Sequence, residues 1–163
     1  KRKAMEKIFG AKERQDGVVR VSSRSYILFF GYGEENGNGY NYRARFDHKP
    51  SVSELREVIE THVNGLTDAK IVSGYEWAGK QVWLSDANQR NYANAYISKN
   101  LPVKIRVYDN IAEGETSSTV ISLNNEEELD AFSQGMVCHV NACLEAGWQE
   151  KDSVDYEKLL EDC

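Results

Sequence analysis

YNYRARFDHKPSVSELREVIETHV, residues 40–63, changes its hydrophobic period in mid-course. As far as Phe46 the side chains alternate. Tyr40, Tyr42, Ala44 and Phe46 point one way and Asn41, Arg43 and Arg45 the other, the pattern of a half-buried antiparallel strand. Pro50 then fixes its own φ and restrains Lys49 before it. Ser51 is a helix cap, and Glu54, three residues on, can return its bond. Leu55, Val58, Ile59, His62, Val63 and Leu66 follow at helical spacing on one face, with Glu54, Arg56, Glu57 and Glu60 on the other. A strand leading straight into a capped amphipathic helix is a building unit of an α+β fold.

Toward the N-terminus, VVRVSSRSYILFF (18–30) has the β-branched and aromatic residues of a strand. GYGEENGNG (31–39) supplies four glycines and two asparagines, which reach positive φ at little cost. Together with 40–46 these stretches predict a β-hairpin with a long, mobile tip. Residues 1–17, KRKAMEKIFGAKERQDG, are charged and end in glycine, and predict an N-terminal helix or arm with Met5, Ile8 and Phe9 on one side. Their basic start reads as a solvated face.

Toward the C-terminus, NGLTDAK (64–70) is expected to fray the helix, and KIVSGYEWAGKQVWLS (70–85) to form two strands about a tight AGK turn, flanked by Trp77 and Trp83. SDANQRNYANAYISKN (85–100) predicts a second helix starting near Ser85 or Asp86. Its inner stripe is Asn88, Tyr92, Ala95 and Tyr96, with Gln89 beside it, polar-aromatic rather than aliphatic. LPVKIRVYD (101–109) reads as a strand, NIAEGETSS (110–118) as a loop and TVISL (119–123) as a strand. Residues 124–148 predict a third helix capped at Asn124 or Asn125, with Leu129, Phe132, Met136, Val137, Val140, Cys143 and Leu144 as its buried stripe. VDYEKLLED (154–162) closes as a short helix. The expectation is one α+β domain over 18–163, a small antiparallel or mixed sheet with three main packed helices.

The 163 residues are 40% hydrophobic and carry a formal net charge of −6. That balance argues against a large nucleic-acid footprint, which needs clustered Lys and Arg. The longest apolar run, YILFF at 26–30, is far below the roughly 18 residues of a membrane span, and no signal-peptide pattern is visible. Neither nucleic acid nor membrane is therefore an expected partner. Cys138, Cys143 and Cys163 form no disulfide framework, and their reduced state is the default.

Chemistry-bearing clusters are sparse. Cys138 and His139 are adjacent, so on a helix they point about 100° apart. An exposed thiol without an organised base is a poor nucleophile. His139 and Cys143 lie four apart and share a helix side, but two ligands fall short of the three or four that zinc requires. His62 and His139 read instead as core-edge residues. Glu126, Glu127, Glu128 and Asp130 crowd a helix start, where the dipole favours negative charge. No phosphate loop or hydrolase motif occurs. No catalytic residue, metal or cofactor is expected. Nine tyrosines and three tryptophans remain. Tyr40, Tyr42, Tyr75, Trp77, Trp83 and Tyr92 are the candidates for an interface or for stacking on a ligand, against ordinary cross-strand packing.

SGYEWAGKQVWLSDANQRNYANAY (73–96) and TVISLNNEEELDAFSQGMVCHVNACLEAGWQEKD (119–152) resemble DUF4376, a family of domains that accompany tail and tail-fibre proteins in tailed phages and prophages. ARFDHKPSVSELREVI (44–59) looks like the lead-in of versions from gut Bacteroides and their prophages. The resemblance covers about residues 40–152. Trp77, Gly79, Trp83, Leu84, Gln89, Leu123, Leu129, Phe132, His139 and Val140 fall on the family's recurring positions, none of them known there as catalytic. The N-terminal hairpin and the 101–109 strand depart from shorter members. The resemblance implies a non-enzymatic structural or assembly domain that docks other phage tail or virion proteins, with possible self-association, located in the virion or in the host cytoplasm during assembly. Rival readings are a module binding host glycans, a small cysteine hydrolase using Cys138 or Cys143 with His139, and an assembly helper that leaves the particle.

Overall fold

The computed structural model describes residues 3–110 and 117–163. Among them the elements run β1 (Glu6–Phe9), β2 (Gly17–Ser22), β3 (Ser25–Glu35), β4 (Asn38–Phe46), α1 (Val52–Ser73), β5 (Tyr75–Trp77), β6 (Lys80–Val82), α2 (Asp86–Ser98), β7 (Val103–Tyr108), β8 (Ser118–Leu123), α3 (Glu126–Asp152) and α4 (Tyr156–Leu159). The class is α+β. All strand pairs are antiparallel, in two four-stranded sheets of order β1-β4-β3-β2 and β5-β6-β7-β8. Two compact units result: unit 1, Lys1–Asn64 with Glu150–Cys163, and unit 2, Gly65–Gln149.

In unit 1 the register pairs Tyr26 with Phe46, Leu28 with Ala44 and Phe30 with Tyr42, so these side chains share one face. Leu55, Val58, Ile59 and Val63 of α1, with Leu159 of α4, bury that face. The opening of α1 forms as its sequence predicts. The Glu54 amide donates to Ser51 Oγ at 3.1 Å, and the Ser51 amide donates to Glu54 Oε1 at 3.2 Å.

Three local expectations for this unit are corrected. Residues 6–9 are a strand paired with β4, not a helix. The segment is short, and β4 supplies backbone partners that an isolated charged helix of this length could not replace. The stretch 18–30 is split at Ser23–Arg24 into β2 and β3. The hairpin tip is two residues long: Asn36 at φ 50° and Gly37 at φ 79° make a primed turn that matches the strand twist. The other glycines do different work. The register shifts between Phe30 and Gly33, with Gly31 at φ 74°, so the strand bulges there. Asp16 Oδ1 accepts the Gly31 amide at 2.9 Å, and the Tyr40 ring lies over Gly33, where any Cβ would collide with it.

In unit 2 the core gathers Tyr75, Val82, Leu84, Ile105, Val107 and Leu123 around Leu129, Phe132 and Met136 of α3. The β5–β6 hairpin also turns in two residues, Ala78 at φ 52° and Gly79 at φ 75°. Ser85 caps α2, its Oγ accepting the Asn88 amide at 3.2 Å. Asn125 Oδ1 accepts the Glu128 amide at 2.8 Å at the start of α3. The inner stripe of α2 is half-buried, as its composition predicts.

Helix α1 does not fray at 64–70. It runs to Ser73, and the strand expected from Lys70 begins at Tyr75. Tertiary packing overrides the weak propensity of Asn64-Gly65. A Cβ at Gly147 of α3 would lie 2.5 Å from Thr67 Oγ1, so the two helix backbones meet closely there. Ser133 and Gly147 lie on the buried side of α3, while Val137, expected inside, is 50% exposed. Leu66, also expected inside, is exposed. The loop expected over 110–118 falls mostly on 111–116, outside the described residues.

Candidate functional site

His139 projects from α3, and its Nε2–H donates to the backbone oxygens of Lys70 at 3.0 Å and Ile71 at 3.2 Å. These carbonyls belong to the last turn of α1, where backbone donors become scarce, although the Gly74 amide also donates to the Lys70 oxygen at 2.9 Å. The histidine is a side-chain cap. Gly74 permits it, since a Cβ there would stand 3.0 Å from His139 Cε1. Cys143 Sγ lies 3.8 Å from His139 Nε2 and 4.0 Å from Nδ1. A sulfur almost equidistant from both nitrogens is on the lone-pair axis of neither, and proton transfer needs that axis. Cys138 is exposed. Among the described residues no three His, Cys, Asp or Glu side chains converge as metal ligands would.

The other two histidines are in unit 1. The His62 ring packs 4.2 Å from Tyr42 and 6.3 Å from Phe30, centroid to centroid. Burial holds its pKa below the ordinary histidine value, against a weaker upward pull from Glu150. His48 is exposed between Asp47 Oδ1 at 2.6 Å and Glu54 Oε2 at 2.7 Å. Hydrogen bonds to the two carboxylates raise its pKa, and it lowers theirs.

The six aromatic candidates do not come together. Tyr75, Trp77 and Tyr92 turn inward onto Phe132, with ring centroids 5.5, 5.4 and 5.1 Å from it. The Tyr75 hydroxyl donates to the Phe132 carbonyl at 2.7 Å, and burial pushes its pKa up to about 12. Tyr40 and Tyr42 form a ladder in unit 1, their centroids 5.6 Å apart, with Phe9 5.6 Å from Tyr40 and Lys7 Nζ 4.3 Å above the Tyr40 ring. Of the six only Trp83 is exposed, at 40%.

Trp83 borders a groove of roughly 500 Å³ in unit 2. Ile71 and Val72 of α1 and Val140 and Leu144 of α3 supply its apolar lining. Asp68, Ser85, Asp86 and Gln89 supply the polar lining. The Asp68 and Asp86 carboxylates and the Trp83 indole N–H have no hydrogen-bond or ion-pair partner among the described residues. Val137, Val140, Leu144 and Trp148 recur along α3 at helical spacing, so the apolar surface continues beyond the groove; Trp148 is 56% exposed. Sequence reasoning missed this surface. The signal was present as a second apolar stripe on α3, offset from the core stripe and ending in tryptophan.

A smaller hollow of roughly 300 Å³ in unit 1 is lined by Lys3, Glu6, Ile8, Ile27, Arg43 and Arg45, among others. Its charges are mixed, and Arg43 is already engaged, donating to Asn41 Oδ1 at 3.0 Å and stacking 4.8 Å from the Phe29 centroid. The groove beside Trp83 is the better candidate. No family model, curated protein or solved structure matches the chain.

Proposed function

We propose that this protein is a structural or assembly domain of a phage or prophage tail, working by docking other tail or virion proteins rather than by catalysis. The observation that carries the docking reading is the open apolar groove with an exposed tryptophan, extended along α3 toward a second one. Contiguous exposed apolar surface of this kind marks interaction sites, and tryptophan is enriched where binding energy concentrates. The engagement of His139 as a helix cap is consistent with it, because the one imidazole near a thiol already has a structural task. The tail assignment draws on the resemblance of residues 40–152 to tail-associated domains, and it places the chain in the virion or in the host cytoplasm during assembly.

Gradient-purified particles and tail intermediates from the source phage or induced prophage test this. The chain should appear by mass spectrometry at fixed stoichiometry in one of them, cross-linked to a tail protein. Its absence from every particle and intermediate would defeat the assembly reading. A second reading, binding of host glycans, is favoured by Ser85, Asp86 and Gln89 beside the exposed Trp83 ring. Glycan-array binding that disappears in Trp83→Ala would establish it.

A further inference from the structure

We infer that the Trp83 groove takes a basic, apolar segment of a partner protein, with a Lys or Arg side chain laid against the indole. The inference rests on the docking reading above and adds the chemistry of the occupant. Its first support is charge. Unit 2 holds six Lys and Arg against eleven Asp and Glu, a net of −5, whereas unit 1 holds fourteen against fifteen, a net of −1. Nearly all of the chain's net negative charge therefore lies on the unit that carries the groove, and it attracts cationic partners before contact.

The second support is local. Asp68 and Asp86 line the groove without a cationic partner among the described residues. The dipole of α2 compensates Asp86 in part, since it opens that helix. Asp68 sits inside α1, with no such compensation. An acidic segment would meet both carboxylates and be repelled. The third support is the ring. An exposed indole face beside carboxylates is a good seat for a cation, which the aromatic quadrupole and the acids attract together. The apolar walls, Val140 and Leu144 on one side and Ile71 and Val72 on the other, take the aliphatic neighbours of that cation. The groove volume suits a few side chains, so the occupant is a short segment and not a whole domain face.

The test uses the full chain and synthetic peptides, read by fluorescence anisotropy. One set of ten-residue peptides alternates Lys or Arg with Leu, a second replaces each cation with Glu, and a third keeps the cations but replaces Leu with Ser. The first set should bind, and bind more weakly as salt rises. The second should bind at least about tenfold more weakly through charge repulsion, and the third about tenfold more weakly through lost apolar contact. Trp83→Ala and Asp68→Asn should each weaken the first set by about tenfold, with Trp83→Phe intermediate. Both side chains reach solvent, and far-ultraviolet circular dichroism of each variant checks that it is folded. Equal binding of acidic and basic peptides, or binding indifferent to both substitutions, would overturn the inference, as would no binding by any basic-apolar peptide at millimolar concentration. Glycan binding lost in Trp83→Ala without peptide binding would also overturn it. The two readings fail separately. Particle incorporation that ignores Trp83 and Asp68 leaves docking standing and removes this groove. Peptide binding by a chain absent from every particle leaves the groove standing and removes the tail assignment.

Discussion

Units 1 and 2 each carry a four-stranded antiparallel sheet, yet they dispose of their charges in opposite ways. Of the six ion pairs among the described residues, five lie in unit 1: Lys7–Glu35, Arg14 with Asp16 and Glu150, and His48 with Asp47 and Glu54. Unit 2 has only Lys80–Asp109. Unit 1 pairs more of its charged groups internally and lies near neutrality. Unit 2 leaves most of its carboxylates to solvent and sets two of them around an open apolar groove. Surface pairs contribute little to stability, so the contrast concerns what each surface offers a partner. The cores differ as well. Aliphatic residues of α1 cover the sheet of unit 1, whereas the core of unit 2 is built around one aromatic ring, Phe132, on which three others rest.

The largest test of that contrast is Phe132→Ala against Leu55→Ala. Both side chains are essentially fully buried. Removing Phe132 should cost about 3–5 kcal/mol and removing Leu55 about 2–5 kcal/mol. Within those ranges Phe132→Ala should be the more damaging, because Tyr75, Trp77 and Tyr92 lose a shared neighbour. Urea denaturation reads the cost, and hydrogen exchange should show lost protection in β6 and β7. A smaller cost for Phe132 than for Leu55 would deny the aromatic hub its role.

The two half-buried histidines sharpen the comparison at the next scale. His139→Ala removes the Nε2 donor from the Lys70 and Ile71 carbonyls and should destabilise the protein by about 1–3 kcal/mol. The Gly74 and Tyr75 amides, just past the end of α1, should then exchange faster. His139→Gln restores a donor and should recover part of the loss, which a purely steric role would not allow.

His62 should behave differently. It packs against rings, so His62→Phe should be nearly neutral at pH 7.5. Its effect appears in acid. The unfolded chain protonates this imidazole near pH 6.5, while burial in unit 1 keeps the folded pKa lower. The unfolded state therefore binds more protons between the two values, and stability falls as pH drops from about 6.5 through the lower folded value. His62→Phe should flatten that loss. His48 has the opposite sign. Its raised pKa gives stability that is fully present below about pH 6.5 and is lost as pH rises through the folded value. Because His48 is exposed, added salt should weaken its effect. Denaturation midpoints at pH 5 and 7.5 for the single variants separate the two. An unchanged acid limb in His62→Phe would show that the ring wall does not hold the imidazole neutral.

What the sequence made legible follows the same division. The Ser51–Glu54 cap, the face Tyr40–Tyr42–Ala44–Phe46 and the start of α2 at Ser85 are local, and each is written within a few residues. Three features were not local. Strand β1 depends on an edge offered by β4, more than thirty residues away. The end of α1 depends on His139 and Gly147, which hold it across residues that would otherwise fray. The buried stripe of α3 is set by what packs on it from elsewhere in the chain, which leaves Val137 exposed and places Val140 and Leu144 in the groove lining. The candidate site was thus half legible. Trp83 stood out as an aromatic, but its carboxylate neighbours Asp68 and Asp86 come from separate helices that only the fold brings together.

The smallest test compares the two hairpin tips, which share a geometry but not a sequence. Unit 1 turns at Asn36-Gly37 and unit 2 at Ala78-Gly79, all four residues at positive φ between 50° and 79°. Glycine takes this conformation freely and asparagine with little cost, but the Cβ of alanine crowds the backbone there. Unit 2 therefore holds a strained residue where unit 1 holds a favoured one. Ala78→Asn should stabilise the protein by about 0.5–1 kcal/mol, and Asn36→Ala should destabilise it by a similar amount. Thermal denaturation of the two single variants and of the double variant checks this, and the double should return close to the parent because the tips are distant in sequence and belong to different units. If Ala78→Asn gives no gain, the strain at that tip is relieved by something other than the turn residue, and the two hairpins differ in more than their sequence.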